Sequence, residues 1–229
     1  MKRISFLAAK SLALVAMVMA ISAITMSAQT PVKRVLIEEA TGSWCGHCPR
    51  GAVMLVKTIE QYKGKVIGVA VHNGDAMTIP EEAAYSTAFI GGFPMMTVSR
   101  TKFGSAVGMS DQAIASPVAQ ELNKAAKVGV TLENVVFNPS TRIVTLDVKA
   151  DFVSSVTGDI RFNLYIVEDS VKGTGSGYDQ SNYMSKNSNV APDPNSPWYN
   201  YPTVIPNFQH RHVLRAMLGG TWGHIRCDS

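Results

Sequence analysis

The feature that most limits the fold of this chain is a change of hydrophobic period between residues 32 and 71. Val32-Lys33-Arg34-Val35-Leu36-Ile37 reads as a strand, and Lys65-Val66-Ile67-Gly68-Val69-Ala70-Val71 as a second, apolar enough to be buried on both faces. Between them Ala52, Leu55, Val56, Ile59 and Tyr62 recur at helical spacing, and Gly64 stands where a C-terminal cap belongs. Two strands joined through a helix run parallel. The strand-to-helix turn of this unit is Gly42-Ser43-Trp44-Cys45-Gly46-His47-Cys48-Pro49-Arg50, which holds two of the three cysteines in 229 residues; the third is Cys227.

Mixed elements continue to Lys127. Thr78-Ile79-Pro80-Glu81 has the form of a capping box and opens a helix that runs to Ile90, where Gly91-Gly92 ends it. Pro94 to Ser99 reads as a third strand, and Ser116-Pro117 starts a helix reaching Lys127. The period then becomes two over Val130 to Phe137, Val144 to Phe152 and Ile160 to Ile166, with a turn at Asn138-Pro139-Ser140-Thr141 and a further strand through His212, Leu214, Ala216 and Leu218. This pattern predicts an antiparallel β domain with one buried face. A sandwich wants about seven strands, and fewer are legible. Ser170 to Gln209 is rich in Gly, Ser, Asn, Pro and Tyr without a period, too long for an ordinary loop, and reads as a functional excursion or as missed short strands. The expected organisation is a leader over 1–28, an α/β domain over 31–127 and a β domain over 128–229.

The leader follows from Met1-Lys2-Arg3 and Lys10, the apolar run Ser11 to Ala28, and the polar Gln29-Thr30. A retained anchor is the alternative, but the run is barely long enough to span and no stop-transfer charges follow it. Removing residues 1–28 takes away Lys2, Arg3 and Lys10 and no acid, so the net charge of +4 falls to +1. No Lys/Arg cluster interleaved with aromatics remains, so nucleic acid is not an expected partner. Export also places the cysteine pair where disulfide chemistry has substrates.

At a helix N-terminus, the Cys45 sulfur faces unpaired backbone N–H groups that favour its thiolate, which makes Cys45 the nucleophile. Cys48 lies one turn deeper on the same face, placed to displace whatever Cys45 captures. Pro49 is tolerated in the first turn. His47, when protonated, stabilises the Cys45 thiolate and hence the reduced pair, so the expected potential is less reducing than roughly −270 mV and nearer roughly −180 mV. The bland alternatives are a structural staple or half a zinc site. A zinc site needs about four ligands, and nothing in the spacing brings His210, His212, His224 or Cys227 to the pair. Neither a metal nor a dissolved cofactor is expected. His72 ends a parallel strand at the same sheet edge as Cys45, where ligands of open α/β sheets bind, so it is a candidate for facing substrate, with a solvated loop histidine as the alternative. His210 and His212 share a strand face by spacing. The aromatics Phe162, Tyr178, Tyr183, Trp198, Tyr199, Tyr201, Phe208 and Trp222 could line a binding surface or a core.

Trp44-Cys45-Gly46-His47-Cys48 resembles the active-site motif of the protein disulfide isomerase branch of the thioredoxin-like superfamily. The resemblance covers about residues 31–127 and implies a mixed sheet flanked by helices. It gives Trp44, Gly46 and His47 a part in tuning the pair. It makes Glu39, six residues before Cys45, the buried acid that moves a proton to or from Cys48. Adjacent Glu38 is the alternative, disfavoured because strand alternation groups Glu39 with Val35 and Ile37. Gly92-Phe93-Pro94 resembles the segment whose proline is cis and packs against the dithiol, so Phe93 and Pro94 are implied to contact substrate. More narrowly, ATGSWCGHCPRG with HNGD, GGFP and VLRAMLGGTWG is similar to an exported bacterial family related to a 28-kDa outer-membrane protein. That family pairs a thioredoxin-like domain with a C-terminal β domain, expected here as an immunoglobulin-like sandwich left incomplete because usual members continue past IRCDS. The implied function is an exported thiol-disulfide oxidoreductase acting on protein or peptide thiols and disulfides, with a redox partner that resets the pair, in the periplasm, outer membrane or cell surface of a diderm bacterium. The rival is an outer-membrane-associated or surface binding protein whose dithiol is unused.

Overall fold

A computed structural model of the chain describes residues 30–224. The expected leader and Cys227 lie outside them. The chain divides into two compact units, one holding Val128–Val153 and the other holding Val32–Lys127 together with the chain from Ser154 onward.

The larger unit is built on a six-stranded mixed sheet. Strand β1 (Val35–Thr41), helix α1 (Cys48–Gln61) and strand β2 (Val66–His72) form the predicted unit, with β1 and β2 parallel from Val35↔Val66 to Thr41↔His72. Gly64 has φ +77°, the conformation that lets the chain leave the helix. Helix α2 (Glu82–Phe89) leads to β3 (Met95–Val98), antiparallel to β1, and β4 (Met109–Ser110) pairs with β3 before helix α3 (Ala115–Leu122). The predicted capping box does not form. The Thr78 hydroxyl instead accepts the Asp75 N–H at 3.0 Å, and α2 begins only at Glu82.

The largest departure from expectation is in the second half. After β5 (Val128–Asn138) and β6 (Ile143–Phe152), strands β7 (Tyr165–Glu168) and β10 (Val213–Met217) return to the first sheet. β10 pairs in parallel with β2 through Val213↔Ala70 and antiparallel with β7, giving the order β4-β3-β1-β2-β10-β7. The expected immunoglobulin-like sandwich is therefore not what these strands build. The bare edge of β2 recruits β10, whose Val213 and Leu214 are fully buried. Between them β8 (Gln180–Ser181) and β9 (Val204–Ile205) form a small separate ribbon.

One face of the large sheet packs Val35, Ile37, Met96 and Val98 against Leu55 and Val118; the other packs Ala40, Val69 and Val71 against Tyr85, Leu214 and Met217. On the second of these faces Glu38 is fully buried and fully paired: its carboxylate accepts from Arg100 Nε (2.8 Å) and Nη2 (2.6 Å), Thr97 Oγ1 (3.0 Å) and the Tyr165 hydroxyl (2.9 Å).

The smaller unit is the β5–β6 hairpin. Its turn forms as predicted, with Asn138 Oδ1 accepting the N–H groups of Ser140 and Thr141. The predicted buried face does not: Val130, Leu132, Val136, Phe137, Ile143, Val144 and Phe152 are exposed.

Candidate functional site

The dithiol loop lies at the C-terminal end of β1 and enters α1, whose N-cap is His47 and whose second residue is Pro49. Cys45 and Cys48 are joined as a disulfide, and Cys48 N–H donates to the Cys45 carbonyl at 3.1 Å. Both are buried, at 4% and 1% exposure.

Behind the pair, strand alternation turns Glu39 toward α1 and Glu38 to the opposite face. The close approach of β1 to α1 needs Gly51, because a Cβ there would collide with Glu39 Oε1 and with the Pro94 ring. Glu39 is 1% exposed and its Oε1 has no hydrogen-bond partner among the described residues. Burial, reinforced by the negative charge of Asp111, holds its carboxyl well above the ordinary glutamate range. The choice between the two acids thus has a physical answer: Glu38 is committed to Arg100, and Glu39 is the one left uncompensated beside the dithiol helix.

The peptide bond Phe93–Pro94 is cis, as the resemblance implied. Phe93 and Pro94 border an open groove of about 360 Å³ with His47, Met95 and the ion pair of Arg50 with buried Asp111 (2.7 and 2.9 Å). Trp44, half exposed, stands edge-on to Phe93 at 5.3 Å, its Nε1 donating to the Asn73 carbonyl at 2.7 Å.

His72 is not where a substrate reaches it. At 2% exposure, its Nδ1 pairs with Asp75 Oδ2 at 2.7 Å, because Asp75 follows three residues later in the HNGD run. The same Asp75 oxygen accepts the Ser43 N–H at 2.8 Å, so His72 acts on the dithiol loop indirectly. Burial opposes the Asp75 charge, but the bonds from His72, Ser43 and Met77 prevail and lower its pKa. His210 packs edge-on against His72 at 5.1 Å, while His212 adopts φ +57° outside β10, so the two do not share a strand face. Among the described residues no group of three or more His, Cys, Asp or Glu is placed to hold a metal ion.

Sequence reasoning missed the clamp on the dithiol loop. The aperiodic 170–209 segment is folded by side-chain bonds to backbone: Asn182 Nδ2 donates to the carbonyls of Trp198 and Pro202, and Ser185 Oγ to that of Tyr201. Part of it runs alongside the loop. Ser181 N–H donates to the Ser43 carbonyl and Tyr183 N–H to that of Gly46, each at 2.8 Å. The buried Gln180 amide reaches the carbonyls of Cys45 (3.0 Å), Ser43 (3.2 Å) and Gly42 (3.3 Å). The Tyr183 ring covers Gly46, where no Cβ would fit, and stands edge-on to His47 at 5.1 Å. No local signal marks Gln180, since its partners in the dithiol loop lie 135 to 138 residues back along the chain.

Comparison with known proteins places the chain by family rather than by reaction. The model of the outer membrane protein Omp28 family matches residues 81–226, beginning after the dithiol loop. No curated protein matches the chain. Among solved structures, HBP35 of Porphyromonas gingivalis is similar over 84% of this chain with TM-score 0.56 and 20% identity, which shows a shared fold; the chain spans 58% of that protein's length. A structural-genomics target from Agrobacterium tumefaciens is similar over 86% of this chain and 76% of its own, with TM-score 0.44 and 15% identity.

Proposed function

The chain belongs to the outer membrane protein Omp28 family, and we propose that it is a thiol-disulfide oxidoreductase of thioredoxin-like type at the exported location that membership gives it, the outer membrane or cell surface. Among the described residues no helix is long and apolar enough to cross a membrane. The observation that carries the redox reading is the unpaired, buried Glu39 carboxyl set against Gly51 and Pro94, beside the helix that bears Cys48.

In the reducing direction a substrate segment lies extended along Phe93–Pro94, pairing by strand addition. The Cys45 thiolate attacks a substrate disulfide, an S–S bond forms between them, and the other substrate sulfur leaves as a thiolate. Glu39 takes the Cys48 proton, and Cys48 attacks the Cys45 sulfur. The substrate leaves as a dithiol, reduced by two electrons, and Cys45–Cys48 becomes the disulfide. A partner dithiol then restores the pair; the reverse sequence oxidises substrate.

A second reading, that of a surface binding protein with an idle dithiol, is favoured by the family match, which begins at Glu81 and omits both cysteines. Insulin-disulfide reduction by the native chain and by Cys45→Ser separates the two. Loss of turnover in Cys45→Ser, with mixed disulfides accumulating on Cys48→Ser, supports exchange; equal rates in native and Cys45→Ser proteins leave the binding reading in possession.

A further inference from the structure

The 170–209 segment does more than clamp the dithiol loop. Where it passes α1 it leaves a cavity of about 430 Å³, within the range of small-molecule sites. One wall is the α1 surface at Val53, Leu55 and Val56; the other is Trp198 and Phe208. Buried Glu39 lies at the inner end, and exposed Lys57 and Arg211 stand at the mouth. Neither of these cations has an ion-pair partner among the described residues. His212, also at the mouth, is 3.7 Å from Asp169.

We infer that this cavity binds a free alkyl carboxylate, its unbranched tail between α1 and Trp198–Phe208 and its head at Arg211 and Lys57. Val53, Leu55, Val56 and Phe208 bring no polar side-chain atom to the walls, and the unpaired polar atoms of the lining side chains, Glu39 Oε1 and Trp198 Nε1, are too few to select a polar body, so apolar burial sets tail affinity. Glu39, the one acid lining the cavity, lies in the interior, and the mouth is cationic; a head of negative charge therefore sits outward and an ammonium head is opposed. Burial, and after it the negative charge of Asp111, raises the Glu39 pKa, which lessens the repelling charge at the inner end.

Calorimetric titration of the oxidised protein with hexanoate, octanoate and decanoate tests this. Each buried methylene tightens binding roughly fourfold, and octanoate binds about tenfold more tightly than octylammonium. Arg211→Gln combined with Lys57→Gln, both exposed, removes the preference for the anion and keeps the chain-length dependence. Val53→Phe, which narrows the cavity, weakens every member of the series. The inference is overturned by the absence of saturable binding, by affinity indifferent to chain length, by equal binding of octylammonium, or by a double variant that retains the anion preference. Slowing of disulfide exchange by a bound tail beside Glu39 would rest on the oxidoreductase reading; calorimetry involves no turnover, so either idea can fail without the other.

Discussion

Replacing Glu39 by Gln keeps the shape of the side chain and removes its titration, which makes it the sharpest probe of the acid beside the dithiol. Glu39 is 1% exposed, lacks a donor on Oε1, and faces Asp111; burial first and that charge second raise its pKa well above 4.5. The unfolded chain releases this proton near 4.5, whereas the native chain retains it to a higher pH. Between the two values the native state binds one proton more than the unfolded state, so raising the pH removes stability at about 1.4 kcal/mol per pH unit. Below 4.5 both states are protonated and the effect vanishes; above the raised value both are ionised and the loss is complete. Glu39→Gln has no such window. Urea unfolding of both oxidised proteins from about pH 4 to about pH 9 should show the variant gaining relative to the native chain with that slope and then levelling. Under the proposed exchange the same variant slows release of the mixed disulfide by about 10²-fold or more, since no base takes the Cys48 proton. Stability profiles that stay parallel across the whole range would refute the buried-acid reasoning outright.

Arg100→Met strips Glu38 of two of its four donors and leaves a buried carboxylate half paired, so the urea midpoint should fall by the equivalent of about 3–5 kcal/mol with the slope unchanged. A cost near zero would mean that the network does not hold β1, β3 and β7 together. Gly46→Ala drives a methyl into the Tyr183 ring and should cost about 1–3 kcal/mol. Tyr183→Ala in the same chain should recover part of that cost, and strictly additive effects in the double variant would deny the contact.

The first half of the fold was legible because its signals are local. The helical period of Ala52 to Tyr62 between two apolar runs gave β1, α1 and β2, and alternation within β1 separated Glu39 from Glu38. What silences Glu38 was not legible: Arg100 lies 62 residues away and Tyr165 lies 127 away. The destination of β10 was hidden by an irregularity in its register between Leu214 and Ala216, which buries neighbouring Val213 and Leu214 together and spoils the period of two. His72 was placed correctly at a strand end but misjudged in exposure, because Asp75 captures its ring. The 170–209 segment carries no period since Asn182, Ser185 and Gln180 satisfy backbone carbonyls with side chains in place of a ladder.

The parallel seat of β10 beside β2 also sets an order of events during synthesis. Until Val213 has left the ribosome, β2 presents an open row of donors and acceptors, and the half-made sheet is a template for stray pairing. Gln180 follows Cys45 by 135 residues, so the cysteines spend much of the nascent chain's life without their cover. An exported chain of this design meets the oxidants of its new compartment with both thiols accessible, and its own dithiol can close before the protein around it is finished.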